Sequence, residues 1–481
     1  MTSATQPQIE IIDTPNLGDR SYVVALDGAA VVVDPQRDID RVRQIVEPRG
    51  WRVTHVVETH VHNDYVSGGR ELATRLGAVY VVPRGHDYAF EAAVLGDGDT
   101  FESGRMHWEV VHTPGHTPHH VSYALRIGGE DVAVFTGGSL LYGSVGRPDL
   151  ISPAATEGLA NDQWRSVQRL VTEFGADAAV FPTHGFGSFC SATATVGLES
   201  TVGQQAASNP AALLARDEFV AELLAGLDAF PAYYAHMGPA NEAGAGPIDL
   251  SPSDHIDPDD LRRRIEAGEW VIDLRSRKVW AAEHLAGSLS FDAEGNAVTY
   301  LGWLIPWGTP LTLLGSSQEQ VTDFQRELVR IGIDRPSGQN VGTPAQWAGS
   351  SAQLASVRQA DFGELAKALA NDPQLLLLDA RRRTEWRDGH VEEARHLPLH
   401  ELPARIGEPV AWSQAAAHAG ADATVWVSCG SGFRAAVAGS LLARAGVPVV
   451  IVDDDFAKAD DAGLHIVNDH HGATLGAAYS D

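Results

Sequence analysis

The sequence predicts an α/β protein of three domains, and three observations carry that reading. Over the first 230 or so residues, short β-branched runs ending in polar residues alternate with helical patterns, as in "VTHVVETH" (53–60), "GGRELATRLG" (68–77) and "VYVVP" (79–83). Next, "MGPANEAGAGPIDLSPSD" (237–254) has the Gly, Pro, Ala and Ser content of a linker. Beyond it the chain repeats itself. "VIDLRSRKVWAAEHLAGS" (271–288) lines up with "LLDARRRTEWRDGHVEEA" (377–394), pairing Asp273 with Asp379, Arg275 with Arg381, Trp280 with Trp386 and His284 with His390. A second block pairs "LTLLGSSQEQ" (311–320) with "VWVSCGSGFR" (425–434). Two copies of a small α/β domain result, giving expected domains at 1–245, 246–355 and 356–481.

A chain of 481 residues exceeds what one hydrophobic core usually organises. Its 63 acidic against 35 basic residues, a net charge of -28, repel phosphate backbones and anionic lipid, so nucleic acid and membrane are excluded as partners. No apolar run is long enough to span a bilayer, and "MTSATQPQIEIID" has neither the basic nor the apolar segment of a leader. The two cysteines, Cys190 and Cys429, form no disulfide framework and fit a reducing cytoplasm.

In "THVHNDY" (59–65), His60 and His62 alternate by two on a strand-to-helix turn, and the Pro–Gly turn of "HTPGHTPHH" (112–120) presents His116. Three neutral imidazoles converging on one point form the ligand set of a mononuclear zinc or iron site, with Asp64 and His184 as further candidates. Arg147, with Asp149 in "VGRPDL", either pairs with a substrate carboxylate or braces its own loop. Cys190 is either a modifiable thiol or a buried apolar-like one.

"THVHNDY", "HTPGHT", "FTGGSLLYGSVGRPDL" and "FPTHGFGSFC" follow one another as in the metallo-β-lactamase fold, in the version shared by glyoxalase II and the persulfide dioxygenases. The resemblance implies an αββα sandwich over residues 10 to about 240. Two positions depart from it. Tyr65 replaces a histidine that serves a second metal, and Gly138 replaces an aspartate that bridges two ions or, in the dioxygenases, binds iron. One divalent metal is therefore expected, held by His60 and His116 with His62 as the third ligand. Fe(II) is favoured by the resemblance, and Zn(II) is the alternative that a three-histidine set suits equally.

"VSCGSGFRAA" (427–436) follows an apolar strand and opens a helix, which sets Cys429 in a loop of inward-facing N–H groups that favour an anionic sulfur. Gly430 and Gly432 let the backbone curl, Arg434 adds positive charge, and Ser431 and Phe433 complete the loop as substrate-binding candidates. This loop resembles the C-x-x-G-x-R loop of the rhodaneses, which implies that Cys429 carries a sulfane sulfur as a persulfide. The middle copy has Gly315, Gln318 and Gln320 where Cys429, Gly432 and Arg434 stand, so it resembles a rhodanese without its nucleophile.

The domain order resembles that of fusions between a persulfide dioxygenase and rhodaneses. It implies an enzyme that oxidises a low-molecular-weight thiol persulfide with O₂ and moves sulfane sulfur to or from sulfite, thiosulfate and thiols. One chain raises the effective concentration of one site's product at the other. Self-association is a further expectation of this fold. Two alternatives stand beside it: a zinc-dependent thioester hydrolase of the glyoxalase II kind fused to a sulfurtransferase, and a metal-poor scaffold in which only Cys429 works.

Overall fold

In the strand Ala29–Val33, successive side chains fall on opposite faces of a sheet, and both faces are covered. Val31 and Val33 meet Val57 and Val81 of the same sheet and Trp108, Tyr123 and Phe135 of a second sheet. Ala30 and Val32 lie instead with Val42 and Val46 of the helix Asp40–Arg49 and Leu72 of the helix Gly69–Leu76. This is why the strand reads as an unbroken apolar run rather than an alternating one.

The computed structural model describes residues 6–350 and 353–468; the first five residues, part of the stretch read for a leader, and 469–481 of the third expected domain lie outside them. The chain divides into two units, Met1–Leu250 with Arg326–Asp334, and Ser251–Gln325 with Arg335–Asp481. In the first unit, a six-stranded sheet runs in chain order from Gln8–Thr14 to Ala93–Leu95. It faces a five-stranded sheet ordered Ala179–Pro182, Glu130–Gly137, Val121–Ile127, Met106–His112 and Thr100–Ser103. Val111, Val134 and Val180 on the outer face of the second sheet pack on Ala160, Val167 and Leu170 of the helix Pro153–Glu173. Helix, sheet, sheet and helix make four layers. Ser152 starts that long helix, its hydroxyl accepting from Ala155 N, with proline at the first position.

Residues Arg326–Asp334 belong to the first unit although their sequence neighbours lie in the second. A buried ionic cluster explains this. Asp38, with no exposed side-chain area, pairs with Arg330 at 2.6 Å and Arg41 at 2.9 Å, and Arg37 pairs with Asp334. Arg330 O also accepts from Val66 N at 2.7 Å, beside the turn that carries His60 and His62.

The second unit holds two parallel sheets, one of four strands (Leu289–Ser290, Trp270–Asp273, Leu311–Gly315, Gly338–Val341) and one of five (Arg358–Ala360, Val449–Val452, Val425–Ser428, Leu376–Asp379, Arg395–His396). The sequence repeat is visible contact by contact. Asp273 and Asp379 each hold the guanidinium two residues on, Arg275 at 2.6 Å and Arg381 at 2.7 Å. Trp280 stacks on His284 with centroids 3.8 Å apart, and Trp386 on His390 at 3.5 Å. Each histidine then donates Nδ1–H to its tryptophan's carbonyl, at 2.8 and 2.9 Å. Among the described residues no helix is long and apolar enough to cross a membrane.

Replacing Asp38 by alanine leaves Arg41 without its carboxylate and Arg330 with Glu327 alone. Asp38→Ala is therefore expected to destabilise the first unit by about 3 kcal/mol. Urea unfolding followed by tryptophan fluorescence would show an earlier first transition, and an unchanged midpoint would refute the role of the cluster.

Candidate functional site

The strands Arg52–Val57, Met106–His112, Glu130–Gly137 and Ala179–Pro182 end where Thr59 O accepts from Val121 N (2.8 Å), Gly137 O from Thr183 N (2.9 Å) and His120 Nε2 from Gly138 N (2.9 Å). These bonds bring the turns carrying His60, His116 and His184 to one edge of the sandwich. All three rings are buried, and their donor atoms lie within 4.8 Å of one another. The Nδ1 atoms face outward. His60 Nδ1 meets Thr59 Oγ1 at 2.9 Å, His116 Nδ1 meets Arg147 O at 2.9 Å, and His184 Nδ1 meets Asp19 Oδ1 at 2.8 Å. A carbonyl can only accept, and the Thr59 hydroxyl spends its own proton on Asp34 at 2.7 Å. Each Nδ1 thus carries its hydrogen, and each Nε2 faces the common space, as the ligand atom of His60 and His116 and, once its proton leaves, of His184.

His116 Nε2 is buried without a protein partner, and His60 Nε2 stands 3.2 Å from His184 Nε2. Two ligands of a tetrahedral ion at ordinary Zn–N distances are about 3.3 Å apart. The residues present therefore fit a metal ion. Of the sequence candidates, His60 and His116 are in this trio, but its third member is His184 rather than His62.

His62 is turned away by its surroundings. Its Nε2 lies 3.2 Å from Glu58 Oε2, 3.3 Å from Asp34 Oδ1 and 3.0 Å from the Tyr65 hydroxyl, and its ring stacks on Tyr65 with centroids 4.3 Å apart. Burial works against a charge there, but Asp34 and Glu58 outweigh it and raise His62 to about 9, so it is an imidazolium at neutral pH. His62 shares further donor groups with Asp64 and His184, and with Asp34 and Glu58. Asp64 Oδ2 lies 3.2 Å from His184 Nδ1, and its Oδ1 is buried without a partner. Asp19, Asp34 and Glu58 have no place in the sequence reading. Only Glu58 left a signal, a carboxylate at the end of the apolar strand "VTHVV".

Gly138 has a steric reason as well. A Cβ built there would stand 2.3 Å from His116 Cδ2, so the ring occupies the space any side chain would need. Arg147 is buried with its donors in use. It bonds both carboxylate oxygens of Asp149 (2.7 and 2.8 Å), Asp228 O (2.5 Å) and Phe189 O (3.3 Å), and lies over the Phe230 ring. Of its two sequence readings, this geometry is that of a loop brace. Cys190 is fully buried beside Asp64 and Tyr234, and burial followed by Asp64 pushes its thiol well above the usual range.

In the second unit, the strand Val425–Ser428 leads through Cys429–Gly432 into the helix Phe433–Arg444. Gly432 N and Ala435 N donate to Cys429 Sγ at 3.1 and 3.3 Å. Gly432 takes φ +91°, and a Cβ there would fall 2.1 Å from Asp453 Oδ1, so glycine is required. Gly430 O accepts from Phe456 N at 2.9 Å. Arg434 is held by Glu385 through two bonds of 2.5 and 2.7 Å; burial works to raise Glu385, but Arg434 outweighs it and holds it at about 2. In the middle copy the same loop is plugged by its own glutamine. Gln320 Oε1 accepts from Ser316 N at 2.9 Å and from its hydroxyl at 3.0 Å, where an anion would sit.

The chain belongs to the metallo-beta-lactamase superfamily, whose profile matches residues 17–185, and a rhodanese-like domain follows at residues 362–461. It is 33% identical over 184 residues to the hydroxyacylglutathione hydrolase of Methylococcus capsulatus, covering 37% of this chain and 67% of that protein. It is 30% identical over 205 residues to the mitochondrial persulfide dioxygenase ETHE1 of Homo sapiens, covering 42% of this chain and 72% of that one. A solved metallo-beta-lactamase from Staphylococcus aureus shares the fold, with a TM-score of 0.64 and 24% identity over 70% of this chain and 100% of its own.

Two predictions follow from the geometry of the trio. Burial opposes a charge on His184, but Asp64 and Asp19 raise it to about 10 in the metal-free protein. At pH 7 a metal must displace that proton, so binding should release one proton, and affinity should rise about tenfold per pH unit below that value. The same imidazolium stabilises the metal-free fold fully below its unfolded value of about 6.5 and loses that contribution as pH rises through about 10. Calorimetric titration in buffers of different ionisation enthalpy counts the protons, and a count of zero would contradict the scheme. Separately, Gly138→Ala should displace the His116 ring and cut metal affinity by about tenfold or more, read as metal retained after dialysis. Wild-type retention would rule out the steric role.

Proposed function

We propose that the protein is a persulfide dioxygenase joined to a sulfurtransferase. The first site would convert a thiol persulfide, O₂ and water into the free thiol, sulfite and two protons. A bound Fe(II) would supply open positions and the redox chemistry through which O₂ takes four electrons from the outer persulfide sulfur. His60, His116 and His184 would hold this single ion, with Thr59, Arg147 O and Asp19 keeping their rings oriented. Glu58, Asp34 and Tyr65 keep His62 out of that set, and the His116 ring fills the place of a side chain at position 138. The glycine at position 138, whose side-chain space the His116 ring fills, is the observation that carries the reading over a two-metal hydrolase, since it leaves no carboxylate there to bridge two ions.

At the second site, the Cys429 thiolate would attack the outer sulfur of thiosulfate. The S–S bond breaks, sulfite leaves with its electron pair, and Cys429 becomes a persulfide. An acceptor thiolate or sulfite then attacks the terminal sulfur and restores the cysteine. Gly432 and Ala435 N–H groups stabilise the sulfur anion on either side of transfer. Arg434, paired with Glu385, supplies positive potential and holds the loop's shape.

A second reading rests on the all-histidine donor set, which suits Zn(II), and on the identity to a hydroxyacylglutathione hydrolase. Oxygen uptake with glutathione persulfide separates the two. Fe(II)-loaded protein should consume O₂, Cys429→Ser should retain that activity, and His116→Ala should lose at least about a hundredfold. Stoichiometric iron without uptake, together with thioester hydrolysis by the zinc form, would instead establish the hydrolase.

A further inference from the structure

The middle copy has no thiol, yet its side chains reach the loop around Cys429, within the second unit. Arg277 Nε lies 2.6 Å from Asp453 Oδ1, and the same guanidinium donates to Ser431 O at 3.4 Å. Asp292, also of the middle copy, holds Arg277 from behind: its Oδ2 accepts from Arg277 N at 3.1 Å and from the guanidinium at 3.4 Å. The Tyr300 ring lies 5.6 Å from that of Phe433, the first residue of the helix after the loop.

Asp453 is the link to the sulfur. Its side chain is 6% exposed, and its Oδ1 sits where a Cβ of Gly432 would be. Gly432 N is one of the two donors on Cys429 Sγ. A line of contacts therefore runs from Asp292 through Arg277, Asp453 and Gly432 to the sulfur. An ion pair in open solvent contributes little, but a buried carboxylate beside a sulfur anion is different. Unneutralised, it would repel that anion and compete for the N–H groups the anion needs. The other cation on Asp453, Lys278, is 3.8 Å away on a side chain that is 73% exposed. The repeat places Arg383 at the matching position of the last copy, where the side chain is exposed. The same residue type thus serves the neighbouring loop only from the middle copy.

We propose that Arg277 is a positioning residue for sulfur transfer at Cys429, and that clamping this loop through Asp453 and Ser431 is the task the cysteine-less copy performs. The inference rests on the sulfur-transfer reading above, and its test has a readout that does not.

Arg277→Gln and Arg277→Lys would be made in the full chain and assayed in two ways: thiosulfate-to-cyanide sulfur transfer, and the rate of Cys429 alkylation by iodoacetamide, followed on the Cys429 peptide by mass. In Arg277→Gln, kcat and the alkylation rate should each fall roughly tenfold, the effect of losing about one hydrogen bond to a charged group. KM for thiosulfate should stay within about twofold, because no substrate contact is removed. Arg277→Lys keeps a cation on Asp453 and should recover most of both rates. Wild-type rates in the glutamine variant would overturn the proposal. So would a loss that lysine does not relieve, or one that tracks a lowered melting temperature. If wild-type protein transfers no sulfur, the functional reading fails, while alkylation still decides whether Arg277 positions the loop.

Discussion

The buried carboxylate of Asp34 ties the first site together. It follows the strand Ala29–Val33 in a left-handed conformation, φ 50°, which costs a non-glycine residue on the order of 1 kcal/mol or more. That turn aims the carboxylate across the strand ends. It accepts from Thr59 N and the Thr59 hydroxyl at 2.7 Å each, and from the Thr183 hydroxyl. The residues after Thr59 and Thr183 are His60 and His184, two of the three convergent rings. Asp34 also faces His62, and its carbonyl accepts from Tyr65. Burial works to raise the Asp34 carboxyl, but His62 and the hydroxyl and backbone donors outweigh it and keep it below its ordinary value. One anion thus orients two metal candidates and holds a third histidine apart as its counter-ion.

The tandem copies show one scaffold with two outcomes. Both keep the Asp–Arg fork after the first strand and the stacked Trp–His pair, because these bonds brace the framework. They diverge in the loop after the next strand. In the last copy two backbone N–H groups face a sulfur atom, and in the middle copy the loop's Ser316 N donates instead to a glutamine oxygen.

The α/β class and the duplication were legible in the sequence, since both depend on local period and on matched residues such as Trp280 and Trp386. The cysteine loop was legible too: the glycine spacing in "CGSGFR" leaves few conformations other than the curled one seen. Two placements depend on residues far away in the chain. His62, two residues from His60, looked like its partner, but spacing along a turn does not say which way a ring rotates. Glu58 and Asp34, from separate strand ends, decide that. Arg147 could have bound a carboxylate from outside, but Asp149 and the carbonyls of Asp228 and Phe189 occupy it.

By itself the sequence determined the fold class, the repeat, the position of the cysteine loop and the stock of histidines, because these follow from chemistry carried within short segments. Only the tertiary structure decided which histidines converge, that Gly138 is filled by the His116 ring, that Arg326–Asp334 joins the first unit, and that Arg277 reaches Ser431 and Asp453. Each of these depends on side chains far apart in the chain meeting in a closed volume. There, burial makes every charge and donor find a partner, and no local pattern names that partner in advance.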